Sequence, residues 1–244
     1  MRFRSFLFTV GYVLIVFFIT FAGSVAGRFI PYKARFFVPK GVFAGAAFWL
    51  RVTCGVKYRI EGAENIPQNR AFVAVSNHQS SWETFALHTF IAPACTVLKR
   101  ELLWIPFFGW SVAFLYPIAI DRSNAINAYK KVLKTGAERL KNGINIIIFP
   151  EGTRVKIGEV KEFKKSAAVL AKQAGVAIVP IAHNSGVCWP AREFLKHSGT
   201  IVMRIGKPIE TEGKTPDQIH NEYTEWIRKE MDIIARLDDQ TANK

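Results

Sequence analysis

The chain has 244 residues, half of them hydrophobic, which is high for a freely soluble protein and leaves room for one large domain or two small ones. Lys and Arg outnumber Asp and Glu by 33 to 19, and the net charge of +14 points to an anionic partner: nucleic acid, an acidic membrane surface or a phosphorylated substrate. Three cysteines, Cys54, Cys95 and Cys188, with no C-x-x-C, fit reduced thiols in the cytosol and argue against a disulfide framework or a zinc site.

From Ser5 to Gly27 the chain is uncharged and long enough to cross a bilayer. Ser24 and Ala26 allow a signal-peptide reading, but the apolar core is longer and more aromatic than such segments, which favours a retained anchor. A second apolar stretch, residues 40–58, is broken by Arg51 and suits an interfacial or hairpin-return helix. Arg2 and Arg4 precede the first segment; Arg28, Lys33, Arg35 and Lys40 follow it. Positive charge on both flanks gives no inside–outside asymmetry, so a two-helix anchor in one leaflet and a simple span both stay open. Residues 1–55 are thus expected to form the anchor and residues 56–244 one α/β domain.

Beyond the anchor, strands and helices alternate. VKYRIEG and AFVAVS read as strands, the second buried because it is nearly all apolar; TVLKR and PIAID are shorter candidates. Ser123 is expected to cap a helix with Ile126, Tyr129, Leu133, Ala137 and Leu140 on its buried stripe and Gly143 at its end. INIIIF is a buried strand, residues 161–175 a helix closed by Gly175, VAIVPIA a strand, and TIVMRIGKPI another. Thr215-Pro216 opens a terminal helix through about Ala235, with Tyr223, Trp226, Ile227, Met231 and Ile234 packed inward. The alternation predicts a largely parallel central sheet flanked by helices.

Ligands gather beyond the carboxyl ends of strands in such sheets, and two polar clusters sit there. SNHQSSWE follows AFVAV, and PEGTR follows INIIIF. His78 and Glu83 are five apart and would point about 140° from each other within one helix. They meet only if His78 lies in the turn before a helix and Glu83 in its first turn. Ser80 to Glu83 spells a capping box, so taken alone the stretch reads as a capped turn. The same residues would also make a general base, with a carboxylate on one imidazole nitrogen and the other free to take a proton from an alcohol. Ser76, Ser80 and Ser81 lack a nucleophile elbow and read as turn and cap residues. In the second cluster Gly152 allows close backbone approach and Arg154 offers a fork suited to phosphate; a Glu151–Arg154 pair in a tight loop is the plain alternative. His183 and Asn184 read as loop structure, and Lys130, Lys131 and Lys134 as a solvated helix face.

In order along the chain stand NHQSSWE, KRELLWIPFFGW with IDR, FPEGTR and VPIAHNSG, spanning roughly residues 70–186. This series resembles the glycerolipid acyltransferase family, and within it the 1-acyl-sn-glycerol-3-phosphate (lysophosphatidic acid) acyltransferases of the PlsC type. The resemblance implies transfer of an acyl chain from coenzyme A or acyl carrier protein to the sn-2 hydroxyl of lysophosphatidic acid, giving phosphatidic acid. It implies His78 as base, Glu83 as its orienting carboxylate, and Lys99, Arg122, Glu151, Gly152, Thr153 and Arg154 around the acceptor, with backbone N–H groups on the oxyanion. Neither metal nor cofactor is required, and no nucleic-acid module is recognisable. The implied setting is the inner membrane, in contact with phospholipid, with the catalytic domain facing the cytosol. Four positions depart from the family pattern: Glu83 for Asp, Tyr116 and Ala119 for Gly and Phe, and Val155 for Ser. The rival readings are a transferase using another lyso-lipid or glycerol-3-phosphate, and a basic membrane-anchored binding protein without chemistry.

Overall fold

The structure is a computed structural model describing residues 1–242. Helix α1 (Arg2–Ala26) turns through a short 3-10 segment, Tyr32–Phe36, into α2 (Phe37–Cys54). The two run antiparallel in close contact, with Gly11 against Trp49, Gly45 against Ile15 and Gly41 against Ile19. Glycine is required at residue 11, where a methyl group would overlap the Trp49 indole, whose N–H donates to the Leu7 carbonyl at 3.0 Å.

The body is a seven-stranded sheet made of β1 (Val56–Glu61), β2 (Val73–Ser76), β3 (Ala94–Lys99), β4 (Ile118–Ile120), β5 (Asn145–Ile148), β6 (Ile178–His183) and β7 (Gly199–Ile205). Its order is β1-β7-β6-β2-β5-β3-β4, and every pairing is parallel except β6–β7. The central strands β2, β5 and β6 are buried along their whole length, as their unbroken apolar runs require. Helices α3 (Trp82–Phe90), α4 (Phe108–Ala113), α5 (Ala125–Lys141), α6 (Ser166–Ala174), α7 (Ser185–Cys188) and α8 (Pro216–Ala242) complete the chain.

Two cores form, one on each face of the sheet. On one, α5, α6 and α8 contribute Leu140, Leu170, Tyr223 and Ile227 over Val73, Ile146 and Ile178. On the other, α2 and α3 bring Phe43, Leu50, Trp82 and Leu87 over Phe72, Ala74, Ile147 and Val179. The amino-terminal hairpin therefore shares its packing with the sheet.

Four local expectations are corrected. Asn124, not Ser123, caps α5: Asp121 captures the Ser123 amide and hydroxyl, leaving the Asn124 side chain to accept from the Asn127 amide at 3.0 Å. On α5, Leu140 is buried and Leu133 and Ala137 pack on the core as expected, joined by buried Val132 and Gly136, whereas Ile126 and Tyr129 in the first turns are exposed. Residues 161–165 stay outside α6; the Lys164 amide donates to the Pro150 carbonyl at 3.1 Å and ties this segment to the FPEGTR loop. Helix α8 continues past Ala235 to Ala242, since neither Pro nor Gly interrupts it. Its start matches expectation, with Thr215 and Gln218 exchanging side-chain to amide hydrogen bonds.

Candidate active site

Three neighbouring strands deliver the site. Strands β5, β2 and β6 lie side by side in the middle of the sheet, and their carboxyl ends release Phe149–Glu151, Asn77–His78 and His183–Ser185 at one edge. Asn77 sets the turn out of β2. Its side chain donates to the His183 carbonyl at 2.9 Å and accepts from the His183 amide at 3.0 Å. The His183 ring closes the clamp by donating from Nε2 to the Asn77 carbonyl at 2.8 Å. Asn184 ties the same loop to β7 by accepting from the Val202 amide at 2.7 Å. His183 and Asn184 are thus buried structural residues, as the sequence suggested.

His78 lies in the turn before α3 and Glu83 in its first turn, with Nδ1 to Oε1 at 2.7 Å. The extra methylene of Glu relative to Asp is accommodated by this spacing. Glu83 is fully buried and also accepts from the Gln79 and Ser80 amides and from the Ser80 and Ser185 hydroxyls, at 2.7–3.1 Å. Half of the expected capping box is present: Glu83 reaches back to the Ser80 amide, while the Ser80 hydroxyl accepts from Trp82 N at 2.9 Å. The cap and the His–carboxylate pair are the same carboxylate. Burial alone would raise the Glu83 pKa, but His183, His78 and the Ser80 hydroxyl outweigh it and hold the group well below the usual carboxylate range. An ionised Glu83 puts the imidazole proton on Nδ1 and leaves Nε2 for chemistry. The ring stacks on Phe149, centroids 4.0 Å apart.

The FPEGTR loop folds under His78. Gly152, at φ 70°, closes a turn on the Phe149 carbonyl, and the Val155 amide donates to the His78 carbonyl at 2.8 Å. Glu151 is buried; its Oε1 accepts from the His78 amide at 3.3 Å, and its Oε2 pairs with no protein group. It makes no ion pair with Arg154. Burial, reinforced by the nearby Glu83 charge, pushes the Glu151 pKa up to about 8 despite the His78 amide. Glu151 therefore takes up a proton on folding between its unfolded pKa near about 4.3 and about 8, so its contribution to stability falls as pH rises through that window and is constant outside it. Glu151→Gln should gain on the native protein in thermal melts between about pH 5 and pH 8, by on the order of a few kcal/mol, with no further change in the gap above that. A gap that does not move with pH would place the proton elsewhere.

A cavity of about 1130 Å³ opens over His78. Lys99, Arg122, Gly152 and Arg154 line it, whereas Glu151 and Thr153, which meets Arg192 instead, are not among the lining residues. Lys99 also lies 3.5 Å from Glu101. Lys161, Lys164 and Lys165 join the rim, and a methyl group on Gly152 would sit 3.6 Å from Lys164 Nζ. These lysines were hidden in the sequence by the helix assigned to them; their signal was the basic run KEFKK just before the Ser166 helix start. Tyr12 and Thr20 of α1 and Val38 of α2 also line the cavity, so the amino-terminal hairpin forms one wall. Tyr116, where the family pattern has Gly, adopts φ 54° and is held by stacking on Tyr32 and by the Arg139 guanidinium.

A family model described as Acyltransferase matches residues 57–184. A 1-acyl-sn-glycerol-3-phosphate acyltransferase of Pseudomonas aeruginosa is 42% identical over 218 residues, which is 88% of this chain and 84% of that protein. One from Saccharomyces cerevisiae is 33% identical over 75% of this chain and 61% of its own length. The crystal structure of the 1-acyl-sn-glycerophosphate (LPA) acyltransferase PlsC from Thermotoga maritima superposes with a TM-score of 0.81 at 28% identity, covering 96% of this chain and 98% of that one.

Proposed function

The chain belongs to the acyltransferase family, and from that premise we propose that it acylates the sn-2 hydroxyl of 1-acyl-sn-glycerol-3-phosphate to give phosphatidic acid. The observation that carries the reading is the His78–Glu83 pair, 2.7 Å apart, under a cavity rimmed by Arg154 and other cations. His78 Nε2 takes the proton as the acceptor hydroxyl attacks the thioester carbonyl, and Glu83 holds the ring and stabilises the imidazolium. The tetrahedral intermediate collapses by expelling the thiolate of coenzyme A or acyl carrier protein, which recovers the proton from His78. Arg154, with Arg122 and Lys99, holds the acceptor phosphate, and Lys164 reinforces the field above Gly152. Glu151 and Gly152 shape the loop beneath it. Matched acceptors with and without the phosphate test this: transfer should depend on the phosphate, and equal use of both would remove that role from the cationic rim.

The amino-terminal hairpin is the membrane contact in this reading. Helix α1 is long and apolar enough to cross a membrane by length and composition. Both of its ends, however, touch the α/β body. Ser5 accepts from the Lys196 amide at 2.9 Å, while Gly23 and Gly27 pack on Ser111 and Phe114. A helix of 25 residues, about 37 Å long, that meets the same body at both ends lies along it. Its outer face, Phe3, Phe6, Val10, Val13, Leu14, Phe17, Phe21 and Val25, is exposed and apolar, and Trp104, Ile105 and Trp110 extend the exposed apolar surface. This favours insertion into one leaflet, with the cavity open to lipid at the cytosolic surface of the inner membrane, where both thioester donors are found. The full-length protein should remain with membranes through a high-salt wash, and protease added outside inverted vesicles should reach the α/β domain. Release by salt, or protection in inverted vesicles, would oppose the assignment.

A further inference from the structure

Helix α1 brings to the cavity a phenol that the acyl-transfer chemistry leaves unused. Tyr12 lines the cavity together with His78, Ser81 and Arg154. Its ring is fixed from two sides: Phe8 stacks on it with centroids 5.7 Å apart, and Trp189 meets it edge-on at 4.9 Å. Trp189 belongs to the segment that gives Ser185 to Glu83 and Arg192 to Thr153, so the ring packs on a segment already tied to both halves of the site. The Tyr12 hydroxyl lies by the Ser81 side chain and feels the Arg154 charge.

Neither hydroxyl is explained by packing or capping. Phenylalanine would fill the space beside Phe8 and Trp189 equally well. Ser81 stands at the N-cap of α3, yet its side chain makes no cap bond, and the Trp82 amide is taken by Ser80. Both side chains are half-buried, and neither oxygen is a sealed atom without a partner, so each can turn to a ligand in the cavity. Two hydroxyl donors beside a guanidinium suit an anion, because each adds a bond and none adds a competing negative charge. We propose that Tyr12 and Ser81 bind the phosphate of the acceptor together with Arg154, each donating its hydroxyl to a phosphate oxygen. The assignment rests on the acyl-transfer reading and deepens it: the helix that lies along the leaflet then takes part in acceptor recognition.

Tyr12→Phe removes the hydroxyl and keeps both ring contacts. The test is steady-state kinetics with lysophosphatidate and the thioester varied in turn, beside thermal melts, on the full-length native protein, Tyr12→Phe and Ser81→Ala. Tyr12→Phe should melt like the native protein and raise the KM for lysophosphatidate by about tenfold, the effect of losing a hydrogen bond to a charged group. Its kcat and its KM for the thioester should stay within about twofold of native, since the bond is made equally in the ground and transition states. Ser81→Ala should raise the same KM by about threefold, and it carries the test alone if Tyr12→Phe does not fold. Native constants in both variants would leave Tyr12 as a packing residue and overturn the assignment. Equal losses toward the two substrates, or a fall in kcat alone, would overturn it as well by taking the hydroxyls away from the phosphate. Failure of the native protein to acylate lysophosphatidate at all would instead overturn the acyl-transfer reading, and the assignment with it.

Discussion

Replacing Glu83 by Gln is expected to leave the protein folded and to reduce acyl transfer by ~10²-fold or more, the lower range for general-base catalysis. The surroundings of Glu83 explain the separation. Oxygen Oε1 faces the His78 ring and the Gln79 and Ser80 amides, all donors, and a Gln carbonyl oxygen serves there. The second oxygen meets the Ser80 and Ser185 hydroxyls, which can rotate to accept from a Gln amide group. Its 3.1 Å contact with the Ser80 amide is lost, while that amide keeps its 2.8 Å bond to the first oxygen. The loss of charge-assisted hydrogen bonding should cost about 1–2 kcal/mol in stability. What the amide cannot do is stabilise the imidazolium as the hydroxyl proton arrives. Glu83→Asp keeps the charge but draws the carboxylate back by about 1.5 Å, so it should retain clear activity below the native rate. His78→Ala should be at least as inactive as Glu83→Gln, and the double variant little worse, because the two act as a unit. Thermal melts and initial rates on all four variants check this. Normal melting with full activity in Glu83→Gln would reduce Glu83 to a helix cap.

Arg154→Lys is expected to raise the KM for the phosphorylated acceptor by about tenfold or more, with a smaller effect on the thioester. Arg154 is exposed on the cavity rim and free of any ion pair with Glu151, so its planar fork is available for two parallel bonds to phosphate. Lysine keeps the charge and loses that geometry. The neighbouring Lys161, Lys164 and Lys165 preserve the general field, which confines the defect to positioning. Steady-state kinetics with each substrate varied in turn would show it. Equal losses toward both substrates, or none, would take Arg154 out of the phosphate site.

Local chemistry was legible in the sequence because it is set by spacing and propensity. The apolar runs of β2, β5 and β6 marked buried parallel strands, and their polar ends marked where a site would form. His78 and Glu83 could be paired from a separation of five, given a turn and a helix start between them. The corrections were also local but turned on competition: Asp121 took Ser123 from its cap, and Pro150 took the Lys164 amide from a helix. The strand order β6-β2-β5 lay beyond periodicity, since an apolar run carries no record of which run it pairs with. That order alone sets Ser185 on Glu83 across 102 residues, buries Glu151 beneath His78, and lays Lys164 over Gly152. It likewise took tertiary packing to place α1 along the body, because the same apolar helix could cross a bilayer or lie in it. Contacts at both of its ends, made by residues more than 80 positions away, favour the second.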